Sequence, residues 1–278
     1  MATIAQRFGQ FVDDLSVPLS EDQHGFYMRL GFSIAILSVV FEKVLDLGIN
    51  LQTERYALVA TTIGFLLAAP MVLFARTSWA GIVLFAISIL VFVFDKWAAY
   101  HNHGWLSVWC LPVAALFGAA WWKSELYHWY LRVTLGVVMV AAFAQKLLAG
   151  TYLDGSFITY LSSHGTLTEQ MFGFLCGPGP YEAPCVAHQA LGTFIAFWQL
   201  GVGILLIAGV RSLIFLFIEI AFLLGAGLYA DEMNFQVLNI AILSIAFNYG
   251  MRPWLCGVCV ALLIIDAYSI EGLLRHVI

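Results

Sequence analysis

Residues 130–148 read YLRVTLGVVMVAAFAQKLL, and this stretch decides the fold class of the chain. It is apolar over most of its length, yet Arg132 stands near its start and Lys146 near its end. In a helix the two cations lie about 21 Å apart along the axis, because each residue rises about 1.5 Å. The hydrocarbon core of a bilayer is about 30 Å thick, so a helix that crosses it would hold the Lys146 amine inside, near one face. An amine at that depth is costly unless it is paired, neutral or snorkelling to the interface.

The composition of the whole chain fits the same environment. Of its 278 residues, 62% are hydrophobic and 10% are charged, whereas soluble domains carry about 25% charged residues. We therefore expect one all-α, polytopic integral membrane domain over residues 1–278. The formal net charge of −5, without a basic cluster, argues against a nucleic-acid partner. The polar segment Met1–Gly25 lacks the apolar core of a cleavable signal peptide.

Apolar runs, separated by charged residues or by Gly and Pro, predict eight or nine transmembrane helices, since the last two runs are short. The predicted spans are Met28–Leu47, Tyr56–Ala75, Trp79–Phe94, Trp105–Trp122, Tyr130–Ala149, Ala190–Val210, Leu213–Tyr229, Phe235–Tyr249 and Trp254–Tyr268.

The placement of Lys and Arg predicts the orientation of these spans. With a cytoplasmic N-terminus, seven cationic residues lie at inner ends and five at outer ends. The long connection 150–188 contains no Lys or Arg, so it would lie outside. We predict a bacterial inner membrane protein with a cytoplasmic N-terminus and Lys146 toward the outer face.

The sequence also matches itself at a distance. Tyr27-Met-Arg29 is followed fourteen residues later by Lys43, and Tyr130-Leu-Arg132 is followed fourteen residues later by Lys146. Asp95 and Asn102, seven residues apart, have a counterpart in Asp231 and Asn239, which are eight residues apart. These matches predict two tandem four-helix units, about residues 27–125 and 130–250, followed by a terminal helix at about 254–270. Repeats of this kind often place a site between them, so we expect an outward-facing site between the two halves.

A second stretch, FDKWAAYHNHGW at positions 94–105, leaves the third span on the side predicted for Lys146. An aromatic belt at the membrane interface would explain its Trp and Tyr residues alone. A binding site would also explain its polar side chains. These candidates are Asp95, Trp97, Tyr100, His101, Asn102, His103 and Trp105.

Three short motifs resemble a known family. Asp95-Lys96, Asn102-His103 and AFAQKL at positions 142–147 are similar to the membrane half of vitamin K-dependent gamma-glutamyl carboxylase and its bacterial HTTM relatives. The resemblance covers about residues 29–155. It implies that Lys146 is the base that deprotonates a hydroquinone, that His103 assists at the substrate, and that Asn102 is a neighbouring hydrogen-bonding group. The carboxylase's large lumenal domain has no counterpart here, so we do not expect carboxylation of a tethered glutamate.

The second half is similar to another group. WQLG at positions 198–201, GVR at 209–211 and the run at 222–229 resemble the DoxX/DoxD proteins, small four-helix membrane subunits linked to quinones and to thiol or sulfur oxidation. This resemblance implies a quinone/thiol redox subunit. A tandem duplication of a DoxX-like unit would make both resemblances true together.

Lys146 has two interpretations without any family. A neutral, desolvated amine near the interface could accept the phenolic proton of a lipid-soluble hydroquinone, with an imidazole passing it to water. The alternative is a lysine that snorkels to the interface. Lys43 occupies the equivalent place in the first repeat, where it more simply pairs with the adjacent Glu42.

The cysteines divide by location. Cys176 and Cys185 flank GPGPYEAP in the predicted outer loop, which favours a disulfide in an oxidising compartment. A redox-active pair exchanging electrons with a quinone is the alternative. Cys256-Gly-Val-Cys259 lies in an apolar run and indicates core packing. No ligand spacing supports a metal, and we predict none.

The sequence thus predicts a quinol-linked membrane enzyme with a quinone or hydroquinone as cofactor and dioxygen or carbon dioxide as possible co-substrates. Lys146 would be the base and His103 a second acid/base. Asn102, Asp95 and Gln145 would orient the ligand, with Trp97, Tyr100 and Trp105 as aromatic binding residues. The rival functions are the DoxX-like redox subunit and a non-catalytic accessory subunit of a larger membrane complex. Membrane lipid is the remaining expected partner.

Overall fold

A computed structural model of the protein describes residues 19–49, 55–95, 102–164, 166–230 and 232–277. Side chains are described outside 41–58, 94–103, 164–170 and 267–277. The described part is helical throughout and contains no strand, which confirms the all-α prediction. The elements are α1 (Glu21–Ile49), α2 (Arg55–Leu73), α3 (Ser78–Asp95), α4 (Asn102–Cys110), a 3-10 helix (Pro112–Lys123), α5 (Glu125–Ala149), α6 (Ser156–His164), α7 (Thr166–Cys176), α8 (Val186–Ile207), α9 (Leu213–Ala230), α10 (Met233–Ala246) and α11 (Pro253–Val277).

Several of these helices are compatible with insertion into a membrane. Among the described residues, α5, α8 and α9 are long and apolar enough to cross one, and a fourth span results if the bent pair Gly104–Cys110 and Pro112–Lys123 counts as one. The predicted total of eight or nine is not reached by this criterion. The remaining apolar helical segments are shorter: Val59–Leu73, Ser78–Val93, Met233–Ala246 and Pro253–Asp266.

The outside of the bundle is apolar. Only about a third of the apolar stretch of α5, α8 or α9 is buried inside the protein, so most of these side chains face outward. Leu148, for example, is 88% exposed at the end of α5. A surface of this kind is costly in water, and it suits a lipid environment.

The helix α10 forms the centre of the molecule. All of its residues except Phe235 are buried, and it packs against α1, α5, α9 and α11. A helix that is covered on every side needs no polar face. It nevertheless buries the polar side chains of Asn234, Gln236, Asn239 and Ser244. Polar groups at the centre of such a bundle point to a site rather than to packing.

The predicted span Trp105–Trp122 is broken in the structure. The helix α4 ends at Cys110, and Pro112 begins a 3-10 helix whose axis is bent by 52° from that of α4. Proline lacks an N–H and clashes with the preceding turn, which explains the break. Within the 3-10 helix, Gly118 adopts φ 68°, a left-handed value that glycine tolerates.

The predicted outer loop 150–188 contains two helices, α6 and α7, that its sequence did not suggest. We call α6, α7 and the segments 150–155 and 177–184 the roof. The predicted disulfide is present: Cys176 ends α7 and Cys185 is the N-cap residue of α8, with their Cα atoms 6.0 Å apart. The bond therefore ties the roof to the start of a long apolar helix.

Candidate functional site

A cavity of about 970 Å³ lies between α4, α5, α6, α8, α9 and α10. Its lining on α5 extends from Tyr130 to Lys146, sixteen residues or about 24 Å along the helix. The walls are mostly apolar, and eight aromatic residues contribute to them. These are Trp105, Trp109, Tyr130, Tyr152, Phe157, Phe222, Tyr229 and Phe235. A long apolar cavity with a few polar groups is the usual form of a small-molecule site.

Lys146 lies in the last turn of α5, at the roof end of this cavity. The helix stops there because Gly150 takes the left-handed conformation, φ 75°, and its N–H bonds to the Lys146 carbonyl. The half-buried side chain folds back, so that Nζ lies 4.7 Å from the centroid of the Tyr152 ring. The Glu232 carboxylate, which also lines the cavity, is within electrostatic range of the amine. The amine thus belongs to the cavity wall.

Tyr152 is held in place by the close approach of its backbone to α8. A Cβ atom added to Gly192 would overlap the Tyr152 carbonyl oxygen, so only glycine fits there. The Tyr152 ring also stacks on Phe157, with centroids 4.6 Å apart. Burial, followed by the Glu232 carboxylate, raises the pKa of the Tyr152 phenol to about 12. The phenol is therefore a neutral hydrogen-bond donor at neutral pH.

Further from the roof, polar side chains interrupt the apolar wall. Gln236 and Asn239 come from α10, Gln199 from α8 and Thr134 from α5. Asn239 donates its Nδ2 hydrogen to the Phe235 carbonyl, 3.0 Å away. The Oε1 atoms of Gln199 and Gln236 have no partner among the described residues. Buried polar groups are nearly always paired, so amides of this kind are suited to orienting a polar ligand.

The roof is joined to the cavity by a short series of contacts. The Tyr229 hydroxyl, in the cavity wall, donates to the Ile158 carbonyl at 3.3 Å and lies 3.2 Å from Ser162 Oγ. Phe172 of α7 contacts both the Tyr229 ring, at 6.3 Å between centroids, and the His188 ring, at 4.3 Å. One layer of aromatic side chains therefore separates His188 from the cavity.

His188 is fully buried beside the disulfide. Its Nδ1 accepts a hydrogen bond of 3.1 Å from the Cys185 N–H and lies 3.2 Å from Thr159 Oγ1. A ring nitrogen and the sulfurs of Cys176 and Cys185 are within 4.8 Å of one another. Because the two sulfurs are bonded to each other, the group does not form a three-ligand metal site in this state.

The predicted site residues have different positions. Trp105, Gln145 and Lys146 all line the cavity. The backbone of Asn102 and His103 begins α4, and that of Asp95 ends α3, but their side chains lie outside the described residues. Trp97, Tyr100 and His101 also lie outside the described residues. The side chains of Lys43 and Glu42 lie outside the described residues as well.

Sequence reasoning missed Tyr152, Glu232, Gln236 and Asn239. A signal existed for Asn239, which repeats the place of Asn102 in the first half, and for the polar residues within NFQVLN at positions 234–239. No sequence pattern predicts Tyr152 as a site residue, because its position depends on the turn after Gly150 and on Gly192, which is distant in the chain.

The fold and the site define an all-helical protein with membrane-compatible helices around a long, mostly apolar cavity that has an amine at its roof end. Comparison of the chain with protein-family models, with curated proteins and with solved structures finds no match. The resemblances to the carboxylase and DoxX groups therefore remain expectations.

Proposed function

We propose that this protein is an integral membrane enzyme that binds a lipid-soluble hydroquinone in the cavity and uses Lys146 as its base. The observation that carries the proposal is the position of the Lys146 amine in the wall of a 970 Å³ apolar cavity. An isoprenoid hydroquinone has a polar ring and a long apolar tail. The length of the cavity along α5 suits the tail, and the polar groups at its roof end and on α10 suit the ring.

The proposed step is a proton transfer. The hydroquinone O–H bond breaks, a new N–H bond forms at Lys146 Nζ, and the ligand is left as an anion. The Tyr152 ring, in contact with the amine, and the Glu232 carboxylate, within electrostatic range of it, would stabilise the ammonium that forms. The anion is more easily oxidised than the neutral hydroquinone, so dioxygen is the simplest electron acceptor. We assign His103 as second acid/base because it precedes the cavity residue Trp105 on α4.

The membrane arrangement is part of the proposal. We propose eight or nine spans in two tandem four-helix units, with a cytoplasmic N-terminus and the roof outside. The shorter apolar segments of α2, α3, α10 and α11 support the higher count, since α2 packs against α3 and α10 packs against α1 and α11. Arg29 and Arg132, which occupy equivalent places in the two predicted repeats, make similar hydrogen bonds. Arg29 Nε donates to the Leu73 carbonyl at 3.0 Å and Arg132 Nη1 to the Ala246 carbonyl at 2.6 Å, each at the C-terminal end of a helix.

Binding and turnover of a short-chain hydroquinone analogue by the protein in nanodiscs test this function. Intrinsic tryptophan fluorescence reports binding, and quinone absorbance reports oxidation by dioxygen. We expect Lys146→Met to keep binding and to lose about 10²–10⁴-fold in rate, the usual share of a general base. Lys123→Met is the matched control, because Lys123 is exposed and paired with Glu21 at the opposite end of α5. The proposal fails if wild-type protein does not bind the analogue, or if both variants turn over alike.

The contacts of the disulfide favour a second candidate, a thiol/quinone oxidoreductase. Cys185 is at the N-terminus of α8, where the helix dipole favours a thiolate, and His188 lies against it. In this reaction the reduced Cys176–Cys185 pair gives two electrons and two protons to a quinone, which forms the disulfide and the hydroquinone. An external dithiol would then reduce the disulfide. Cys176→Ser with Cys185→Ser abolishes such turnover, whereas it leaves the dioxygen-dependent reaction in place.

A further inference from the structure

Glu219 is a buried carboxyl group in α9 that the proposed chemistry does not use. Its side chain is 1% exposed. Oε2 accepts a hydrogen bond of 2.9 Å from Trp198 Nε1, and Oε1 has no partner among the described residues. An ionisable group inside an apolar helix is expensive to bury, and such residues usually mark proton or ion pathways.

A second cavity lies beside Glu219 and next to the first cavity. Its volume is about 10 Å³, room for about one water molecule. Glu219 lines it, together with Asn239, Met139 and Leu223, which also line the large cavity. One layer of side chains therefore separates the unpartnered carboxyl group from the hydroquinone site, and Asn239 is the polar member of that layer.

The other neighbours of Glu219 carry no charge. The second cavity is completed by Leu135 of α5, Leu206 of α8 and Leu243 of α10, and its described lining holds no second titratable group. The nearest cation along α5 is Arg132, one turn from Leu135, and its guanidinium is engaged with the Ala246 carbonyl. Among the described residues no ion pair to Glu219 is found, so no fixed charge holds this carboxyl group in its ionised form.

The two ionisable groups approach the hydroquinone site from opposite directions. Met139, at the junction of the two cavities, lies seven residues before Lys146, about 10 Å along α5. A hydroquinone ring with a hydrogen bond of about 2.8 Å at each of its two opposite hydroxyls spans a distance of this order. One hydroxyl would then face Lys146 and the other Asn239.

We propose that Glu219 is a second proton-accepting group of the site, reached past Asn239 on the side away from Lys146. This inference rests on the proposed function. Oxidation of a hydroquinone releases two protons and two electrons. Lys146 takes the proton of the hydroxyl facing the roof. The O–H bond of the second hydroxyl breaks, and its proton passes through one water molecule beside Asn239 to form an O–H bond at Glu219 Oε1. Both electrons pass to dioxygen, the acceptor of the proposed function, which takes up two protons and leaves as hydrogen peroxide.

The test compares three variants in nanodiscs with the hydroquinone analogue. Glu219→Gln keeps the volume and removes the proton acceptor, so we expect unchanged binding and a rate lower by up to about 10²-fold. The acidic limb of the rate–pH profile should lose the contribution of Glu219 and keep that of Lys146. Glu219→Asp should recover at least a tenth of the wild-type rate. Glu182→Gln, in the exposed roof, should leave the rate and the profile unchanged.

The outcomes separate the two proposals. If wild-type protein does not bind the analogue, the proposed function fails and the inference fails with it. If wild-type protein turns over and Glu219→Gln has the same rate and pH profile, the inference alone is overturned. If Glu219→Gln does not fold, infrared difference spectra of wild type and Glu219→Asp decide. A protonated-carboxyl band that appears on hydroquinone oxidation and shifts in Glu219→Asp supports the inference, and its absence overturns it.

Discussion

At the scale of single residues, the geometry of the site depends on how closely the backbone of Tyr152 approaches α8. Gly192 is the clearest case, because α8 leaves no room between its backbone and the Tyr152 carbonyl. The position of the Tyr152 ring over the Lys146 amine therefore depends on Gly192, which has no side chain. Gly155, at φ 83°, makes the turn into α6 and packs against the Gln189 backbone in the same way.

Gly192→Val should move the Tyr152 segment away from α8 and uncover Lys146. We expect hydroquinone affinity to fall about tenfold, equivalent to about 1.4 kcal/mol, because the contact between the Tyr152 ring and the amine is lost. Fluorescence titration measures the change. Gly201→Val is the control on the same helix, since a Cβ atom at Gly201 meets nothing within 4 Å. Equal affinities for the two variants would contradict this account of Tyr152.

At the scale of helices, α5 and α8 pack at backbone contact. A Cβ atom on Gly203 would lie 2.8 Å from both the Gly136 carbonyl oxygen and Val140 Cγ2. Small residues that allow two backbones to meet are typical of helix pairs in membranes. This pair carries Lys146 on one helix and Gln199 on the other, so its spacing sets the width of the cavity.

Gly203→Leu should therefore force α5 and α8 apart. We expect it to lower the free energy of unfolding by about 3 kcal/mol, at the upper end for overpacking, because backbone atoms cannot yield as side chains do. Gly201→Leu should instead be neutral or stabilising by up to about 1 kcal/mol, since leucine favours helix over glycine. Thermal and denaturant unfolding in detergent measure both. Similar losses in the two variants would show that leucine is harmful at any position along this part of α8.

The link between the roof and α8 is covalent, and its removal has a predictable cost. The disulfide closes a loop with a sequence separation of 9. Constraint of the unfolded chain by a loop of this size contributes about 3 kcal/mol. Reduction, or Cys176→Ser with Cys185→Ser, should lower the unfolding free energy by this amount. Cys256→Ala changes a free, half-buried thiol and should cost under about 1 kcal/mol. No loss on reduction would mean that the roof is held by its noncovalent contacts alone.

The sequence predicted the helical class, the disulfide and the helix that carries Lys146, because each depends on residues close together in the chain. Apolar runs predict helices, and Cys176 and Cys185 are separated by turn-forming residues. It did not predict α6, α7 or the break at Pro112 within an apolar run. Tyr152, Gln236 and Glu219 were missed for a different reason. Their surroundings come from three or more helices, and no local pattern reports which helices become neighbours.

At the scale of the whole molecule, the proposed orientation makes a direct prediction. With Cys110, Cys256 and Cys259 replaced by Ala, Glu182→Cys in the roof should react with a membrane-impermeant maleimide in intact cells. Ser212→Cys, between α8 and α9, should react only after permeabilisation, because that turn lies at the opposite end of both helices. Both residues are exposed, so access to the reagent is the single difference. The reverse labelling pattern would invert the proposed topology.

The central helix α10 has a consequence for how the molecule would respond to an energised membrane. It is 14 residues long, about 21 Å, and is wrapped by other helices, whereas the hydrocarbon core is about 30 Å thick. Its ends, near Glu232 and Asn248, would lie deeper in the membrane than the lipid headgroups. The polar surroundings of each end would then extend into the hydrocarbon region. The transmembrane potential would then fall across a layer thinner than the hydrocarbon core. A unit charge that crosses the full gradient exchanges about 2.3 kcal/mol per 100 mV, so voltage alone would speed or slow any charge displacement along α10.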